Sequence, residues 1–473
     1  MNKLNAILAG SNIAFGTSGA RGLVTDFNDK VCAAFTQSFI FSLAESFKFS
    51  RVAIGIDNRP SSPAMAAACV GMVQALGLQA DYYGVLPTPA LAYQAMQDGI
   101  PAIMITGSHI PFDRNGIKFY RPDGEISKSD EQLIINAEAD LLPFTPSLPP
   151  INPHASNTYM QRYLAVFPKN ALTGKHIGIY EHSSAGRELY YQVFAALGAK
   201  VTRLEPSDTF VPIDTEAVSD ADMAKGKAWA AEYGFDALFS TDGDGDRPLI
   251  ADETGTWLRG DIVGLITAKA LGIEALAVPV SCNTAIEQSG AFNKVLRTKI
   301  GSPYVIAAFA DLQAHKSYAG FEANGGFLLG SDLRLGAEQL KALPTRDALL
   351  PALALLTLAG EQPVSALMSA LPKRFTASDR LQQVPTEWSQ AFIADAAKAP
   401  EQLLAKLGLS ANVVKVDQTD GLRLTLNTAE IIHLRPSGNA PELRCYTEAI
   451  TQENATTLLK QALMAIKQLT GVK

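Results

Sequence analysis

The chain has 473 residues, of which 47% are hydrophobic and 18% charged, and its formal net charge is −7. That length suggests about three globular domains, and the composition leaves ample core. The acidic balance excludes nucleic acid as a general partner, although it says nothing about a local basic pocket for a small anion.

At the amino terminus, "MNKLNAILAGSN" has too short an apolar stretch for a secretory signal. Cys32, Cys69, Cys282 and Cys445 are scattered, with no C-x-x-C pair. They read as reduced, buried thiols of a cytosolic protein. "FGTSGARG" (15–22) has glycines at a spacing that is not the dinucleotide fingerprint.

Residues 51–84 predict a strand, a polar turn holding "GIDNRPSS", a helix ending in Leu-Gly, and a second strand. Asp57 and Arg59 in that turn read as structural salt-bridge partners. "PAIMITGSHIPFDRNGIKFY" (101–120) then begins as a buried strand and opens into a loop holding Ser108, His109, Arg114, Asn115 and Lys118. A hydroxyl beside a cation can accept and return a phosphoryl group, with Lys118 as acid or base. Serine and histidine after a strand are otherwise ordinary turn residues. "LLPFTPSLPPINP" has five prolines from Pro143 to Pro153, too many for helix or sheet, and predicts a linker near residue 148.

The strand–helix–strand unit recurs at 175–205 and, more weakly, at 275–301, which predicts βαβ units. Between these copies lies "STDGDGDRPLI" (240–250), with Asp242, Asp244 and Asp246 in a tight turn between two apolar strands. Three carboxylates so close repel one another unless a cation sits among them. An EF-hand is disfavoured because Arg247 stands where its glycine belongs and the flanks are strands. A phosphatase with an aspartate nucleophile would leave Ser108 without a role. A solvated acidic turn is the bland alternative. The reading adopted is a Mg²⁺ site with few protein ligands and room for a phosphate oxygen, with Arg247 beside it for a phosphoryl group.

"AGFEANGGF" (319–327) reads by itself as a Gly-rich hairpin turn. "ALLPALALLTLAG" (348–360) is too short to span a bilayer and predicts a buried helix. A softer break follows near 370. In "RPSGNAPELRCYTEA" (435–449), Arg435 can grip a phosphate in two-pronged fashion, with Ser437 and the amides near Gly438 completing an anion nest. The chain ends on the helical "NATTLLKQALMAIKQL". The predicted fold is α/β: three topologically similar α/β domains with mixed, largely parallel sheets, plus a smaller C-terminal α+β domain, around a central cleft. The boundaries are placed at 1–148, 149–257, 258–370 and 371–473.

The serine loop resembles the phosphoserine loop of the α-D-phosphohexomutases, T-A-S-H-N-P-x-x-x-N-G-x-K, with Gly107 for alanine and Ile110 for asparagine. The aspartate loop is similar to that family's D-G-D-[AG]-D-R metal loop without departure. "GFEANGG" resembles its sugar loop, G-E-x-S-G-H, with Asn324 for serine and Gly326 for a histidine proposed to assist proton transfer. "RPSGNAP" resembles its phosphate loop, R-x-S-G-T-E-P, and "FGTSGARG" its opening signature. The five motifs fall in the family's order along the whole chain.

The resemblance implies an α/β enzyme that moves a phosphoryl group between the 1- and 6-positions of a hexose phosphate. An active-site phosphoserine and a hexose 1,6-bisphosphate carry the group. Ser108, Lys118, His109 and Arg21 would be catalytic. One Mg²⁺ would be held by Asp242, Asp244, Asp246 and the phosphate of Ser108. Arg247, Glu322, Asn324, Thr298 and Gly301 would bind the sugar, and Arg435, Ser437, Gly438 and Asn439 its phosphate. Ser18 stands where glucosamine mutases favour aspartate, and long glucose-specific mutases exceed this length, so mannose is preferred. Glucose and glucosamine phosphates are the alternatives within the family. A catalytically altered sugar-phosphate-binding protein or a phosphatase is the alternative from another class. The implied setting is cytoplasmic, as a monomer or weak homo-oligomer, with hexose phosphate as partner, no nucleic acid and no membrane. A bisphosphate activator is implied as well.

Overall fold

A computed structural model describes residues 3–16, 18–437 and 441–470. These divide into two compact units, one built from residues 1–273 with 316–368, the other from 274–315 with 369–473.

The first unit opens on a mixed sheet whose order is Ala14–Phe15, Ala20–Leu23, Arg114–Arg121, Ala102–Ile105, Arg51–Ile56 and Gln79–Val85. Arg51–Ile56 is parallel to both Gln79–Val85 and Ala102–Ile105, while Ala102–Ile105 and Arg114–Arg121 run antiparallel. Strands such as "RVAIGI" are apolar almost throughout because helices cover both faces of such a sheet. Helix Asp29–Leu43 starts where the Asn28 side chain accepts from Val31 N, and helix Ser62–Ala75 starts with proline in its first turn. A second sheet has the order Pro248–Ala251, Ala237–Thr241, His176–His182 and Lys200–Pro206, parallel except for the hairpin of the first two. A third part of this unit is the antiparallel ladder of Tyr318–Phe321, Phe327–Leu329 and Leu343–Asp347. The apolar helix Leu349–Ala359 is buried along nearly its whole length and packs on Gly260–Ala270. No helix among the described residues is long and apolar enough to cross a membrane.

The proline-rich segment forms neither helix nor strand, as its composition predicts, yet it is closely packed. Ser147 N donates to Ala67 O (3.1 Å) and Asn152 N to Tyr82 O (2.9 Å). Thr145 O comes so near helix Ser62–Ala75 that a Cβ at Gly71 would lie 2.2 Å from it.

In the second unit, Ala275–Pro279 and Lys294–Thr298 run parallel and flank a helix of only four residues, Ala285–Gln288, which is why this copy of the unit is weak in the sequence. The rest is a five-stranded antiparallel sheet ordered Phe375–Gln382, Glu442–Ala449, Ile431–Pro436, Leu422–Leu426 and Val413–Asp417. Helix Gln452–Thr470 buries Ala455, Leu458, Leu459, Ala462, Leu463 and Ile466, a stripe of helical period facing the core of this unit. All four cysteines are buried.

Candidate active site

The turn after strand Ala102–Ile105 carries Ser108, fully buried, with its backbone at φ +52°. A left-handed serine costs energy and persists only where surrounding contacts hold it. Those contacts are present. Ser108 N donates to Thr106 Oγ1 (2.8 Å), and the Arg59 guanidinium donates to the carbonyls of Ser108, Ile110, Pro111 and Arg114 at 2.5–3.0 Å. Arg59 also pairs with Asp57 (3.3 Å) and lies over the Phe210 ring. The sequence reading of Asp57 and Arg59 as structural partners matches this geometry, and their object is the serine loop. Gly107, where the family pattern has alanine, has a local cause. A Cβ there would lie 2.5 Å from Arg59 Cζ.

Ser108 Oγ donates to Asp242 Oδ2 at 2.5 Å, while His109 Nδ1 stands farther away at 3.3 Å. Asp242, Asp244 and Asp246 occupy the turn of the hairpin Ala237–Thr241/Pro248–Ala251 and are all buried. One carboxylate oxygen from each lies within 4.8 Å of the others. Lys118 Nζ, on Arg114–Arg121, reaches Asp244 Oδ2 (2.6 Å) and Asp246 Oδ2 (2.7 Å). Thr88 Oγ1 donates to Asp244 Oδ2 (2.5 Å). Asp244 Oδ1 and Asp246 Oδ1 are buried and receive no hydrogen bond, the latter having a 3.6 Å ion pair with Arg247 Nε. Bare acceptors in a buried cluster of three carboxylates fit a hard divalent cation with oxygen ligands.

Electrostatics divides the triad. Burial raises the Asp242 carboxyl well above its ordinary range, and Asp244 and Asp246 push it further. Burial acts the same way on Asp246, but Arg346, Lys118 and Arg247 outweigh it and hold that carboxyl below the usual range. His109 is driven down to about 3 by burial and then by Arg247, so its imidazole is neutral. Arg247 Nη1 donates to its Nδ1 (2.9 Å). Arg21, on the strand paired with the one bearing Lys118, is lowered to about 10 by burial, then by Arg247 and Arg346.

The turn after Tyr318–Phe321 brings Glu322 and Asn324, both nearly buried, into the same unit. Asn324 Oδ1 accepts from Gly326 N (3.0 Å), and Asn324 O from Thr215 Oγ1 (2.8 Å). Arg346 reaches both Glu322 and Asp246. The first unit therefore gathers Ser108, His109, Lys118, Arg21, the three aspartates, Arg247, Glu322 and Asn324.

The second unit holds the remaining described candidates. Arg435 Nε pairs with Asp420 Oδ2 (2.9 Å), which also accepts from Ile300 N (3.0 Å), so Asp420 links Arg435 to the turn between Thr298 and Gly301. Ser437 N donates to Glu442 O (2.8 Å). Gly438 and Asn439 lie outside the described residues.

Sequence reasoning missed Thr88, Asp214, Arg346 and Asp420. Asp214 accepts from the amides of Glu216 and Ala217 and faces His109 and Arg247. A signal existed for Arg346 alone: "PTRDALLP" puts a charge in front of a wholly apolar helix, where burial would require partners.

Models described as phosphoglucomutase/phosphomannomutase match three parts of the chain: α/β/α domain I over residues 12–140, α/β/α domain III over 259–375, and the C-terminal domain over 390–465. A phosphomannomutase of Salmonella muenchen is 55% identical, across 98% of this chain and 97% of that protein. One of Sinorhizobium fredii is 43% identical, across 96% and 98%. The crystal structure of a phosphoglucomutase/phosphomannomutase family protein from Burkholderia thailandensis has the same fold, with a TM-score of 0.74 at 18% identity, over 96% of this chain and 97% of that one.

Proposed function

The chain belongs to the phosphoglucomutase/phosphomannomutase family of phosphohexomutases, and from that premise we propose that it interconverts mannose 1-phosphate and mannose 6-phosphate. The carrier is a phosphoryl group on Ser108, and hexose 1,6-bisphosphate is the intermediate. One observation carries the reading: a strained, buried serine whose Oγ lies 2.5 Å from a carboxylate of a cation-ready triad. Two relatives named phosphomannomutase at 43–55% identity favour mannose over the other hexoses.

Phosphoryl transfer passes through a loose transition state, so the protein's contribution is positioning and charge stabilisation. A Mg²⁺ ion held by Asp242, Asp244 and Asp246 would draw charge from the phosphate of Ser108. Glu322 and Asn324 accept from and donate to the sugar hydroxyls, and Arg435 and Ser437 are assigned to phosphate binding. The free hydroxyl attacks phosphorus as the P–Oγ bond of Ser108 breaks. Lys118 Nζ carries the hydroxyl proton to the departing Oγ. Arg247, directed by the neutral His109, faces the phosphoryl oxygens. The bisphosphate then turns end for end, and Ser108 takes the other phosphoryl group. A bisphosphate that escapes leaves an unphosphorylated enzyme, so catalytic hexose 1,6-bisphosphate is required as activator. Buried thiols at all four cysteines support a cytoplasmic setting. We also assign four domains bounded near residues 148, 257 and 370.

The test is one assay with Mg²⁺ and trace glucose 1,6-bisphosphate, in which mannose 1-phosphate and glucose 1-phosphate are followed separately to their 6-phosphates. A kcat/KM for mannose equal to or above that for glucose supports the assignment. Glucose preference moves the substrate and keeps the chemistry. Inorganic phosphate without isomerised sugar would mean a phosphatase, and binding without transfer a sugar-phosphate-binding protein.

A further inference from the structure

Position 326 is a glycine where the matching motif has histidine, and the packing around it shows what fills the vacated space. A Cβ built on Gly326 would lie 2.6 Å from Arg346 Cδ, 2.7 Å from Cγ and 3.0 Å from Cβ. These atoms are the stem of the side chain, not a mobile tip, and Arg346 is only 1% exposed. Any side chain at 326 would therefore force Arg346 out of its rotamer, at a cost typical of an overpacked core.

The guanidinium that Gly326 admits touches three separate loops. Nε donates to Asp246 Oδ2 (3.0 Å), Nη1 to Glu322 Oε2 (3.3 Å) and Nη2 to Ser18 Oγ (3.3 Å). Asp246 Oδ2 is thereby shared between Arg346 and Lys118, which leaves Oδ1 turned away from both. Glu322, which the sugar loop offers to hydroxyls, has its Oε2 fixed by the same cation. A planar fork of N–H groups on a rigid head can hold two carboxylates at once, whereas an ammonium on a flexible stem is a single point.

We propose that Arg346, admitted by Gly326, is a positioning residue that locks the sugar loop to the metal loop, with one guanidinium orienting Glu322 and Asp246 together. A guanidinium does not give up its proton, so Arg346 does not replace a histidine as acid or base. The exchange converts a position for proton transfer into one for charge and geometry, and leaves proton movement to Lys118. This rests on the sugar-phosphate reading above.

The experiment compares wild type with Arg346→Lys, Gly326→Ala, Arg346→Ala and the double variant Gly326→His/Arg346→Ala. Each is measured for kcat and KM with mannose 1-phosphate, for melting temperature, and by calorimetry for mannose 1-phosphate affinity with divalent cations chelated. Arg346→Lys is expected to raise KM about tenfold and to weaken cation-free binding by a similar factor, because Glu322 loses its orientation. Gly326→Ala, which keeps every charge, is expected to shift both in the same direction by a smaller factor, and it carries the test if Arg346→Lys does not fold. The double variant should have a kcat/KM about tenfold above that of Arg346→Ala alone, since the emptied space accepts the imidazole. Lowered melting temperatures with unchanged KM and unchanged affinity would reduce Arg346 to a structural residue and overturn the proposal. So would a double variant no better than Arg346→Ala. A wild type that neither turns over nor binds mannose 1-phosphate sinks the functional reading itself, and this inference with it.

Discussion

Ser108 and Asp242, 134 positions apart in the chain, share a hydrogen bond of 2.5 Å from Oγ to Oδ2. The nucleophile loop and the carboxylate hairpin are thus one constellation, and Asp242 is a much nearer partner of the hydroxyl than His109 at 3.3 Å. Removal of Oγ should therefore abolish chemistry with little effect on packing. Ser108→Ala is expected to lower kcat by about 10⁴-fold or more while the melting temperature stays within a few degrees of wild type. Near-normal turnover in that variant would refute the serine's role.

Asp244 Oδ1 and Asp246 Oδ1 accept no hydrogen bond, and a ligand that binds only the folded chain raises its stability. Chelation should abolish turnover, and added Mg²⁺ should restore it. Wild type should also melt at higher temperature as Mg²⁺ is titrated, with roughly 2.7 kcal/mol gained at a hundred times the Kd. Asp244→Asn should flatten that titration. A melting curve indifferent to Mg²⁺ in both proteins would remove the cation from this site.

Arg59 serves four carbonyls of the serine loop, and Gly107 is small because Arg59 lies against it. Gly107→Ala is expected to destabilise the chain by about 1–3 kcal/mol through overpacking and to reduce kcat with KM for the sugar phosphate little changed. Urea unfolding and steady-state kinetics check it. A Gly107→Ala variant as stable and active as wild type would mean that the loop yields freely and that Arg59 does not set its shape.

His182 contributes to the pH dependence of stability. Its Nε2 donates to Thr241 O (2.9 Å), its Nδ1 is buried without a partner, and burial, then Arg187 and Lys225, lowers its pKa from 6.5 to about 4. Below pH 6.5 the unfolded chain takes up a proton that the fold refuses. The stability is complete above 6.5 and is lost as pH falls toward about 4, in total on the order of 3 kcal/mol. Urea midpoints between pH 7.5 and 4.5 should fall less steeply for His182→Gln. Equal slopes would show that other groups set the acid limit.

The repeated strand–helix–strand units, the aspartate hairpin and the buried apolar helix at Leu349–Ala359 were legible because each is encoded within about 35 consecutive residues, as apolar runs, turns and helix-ending glycines. The five candidate loops were legible as motifs for the same reason. Thr88 and Asp214 were not, because nothing near them in sequence distinguishes them from turn or surface residues, and the one signal for Arg346, a charge ahead of an apolar helix, names no partner. Their importance lies in partners such as Asp244, His109 and Asp246, brought close only by the tertiary fold. The close packing of the proline-rich segment was hidden likewise, since composition reports what a segment cannot form and not what it lies against.

The first unit is closed by residues made late. Arg346 follows Asp246 by 100 positions, and between them the chain leaves to build 274–315 of the second unit. At ribosomal speeds of roughly 5–20 residues per second, the three aspartates wait about 5–20 s for the guanidinium that offsets their repulsion. During that interval the cations already made that act on them are Lys118, Arg247, Arg21 and Arg59, and without Arg346 a nascent chain ending near residue 273 should keep the hairpin open to water. Burial of the carboxylates then becomes a late event in biosynthesis, timed by the emergence of "PTRDALLP" from the exit tunnel.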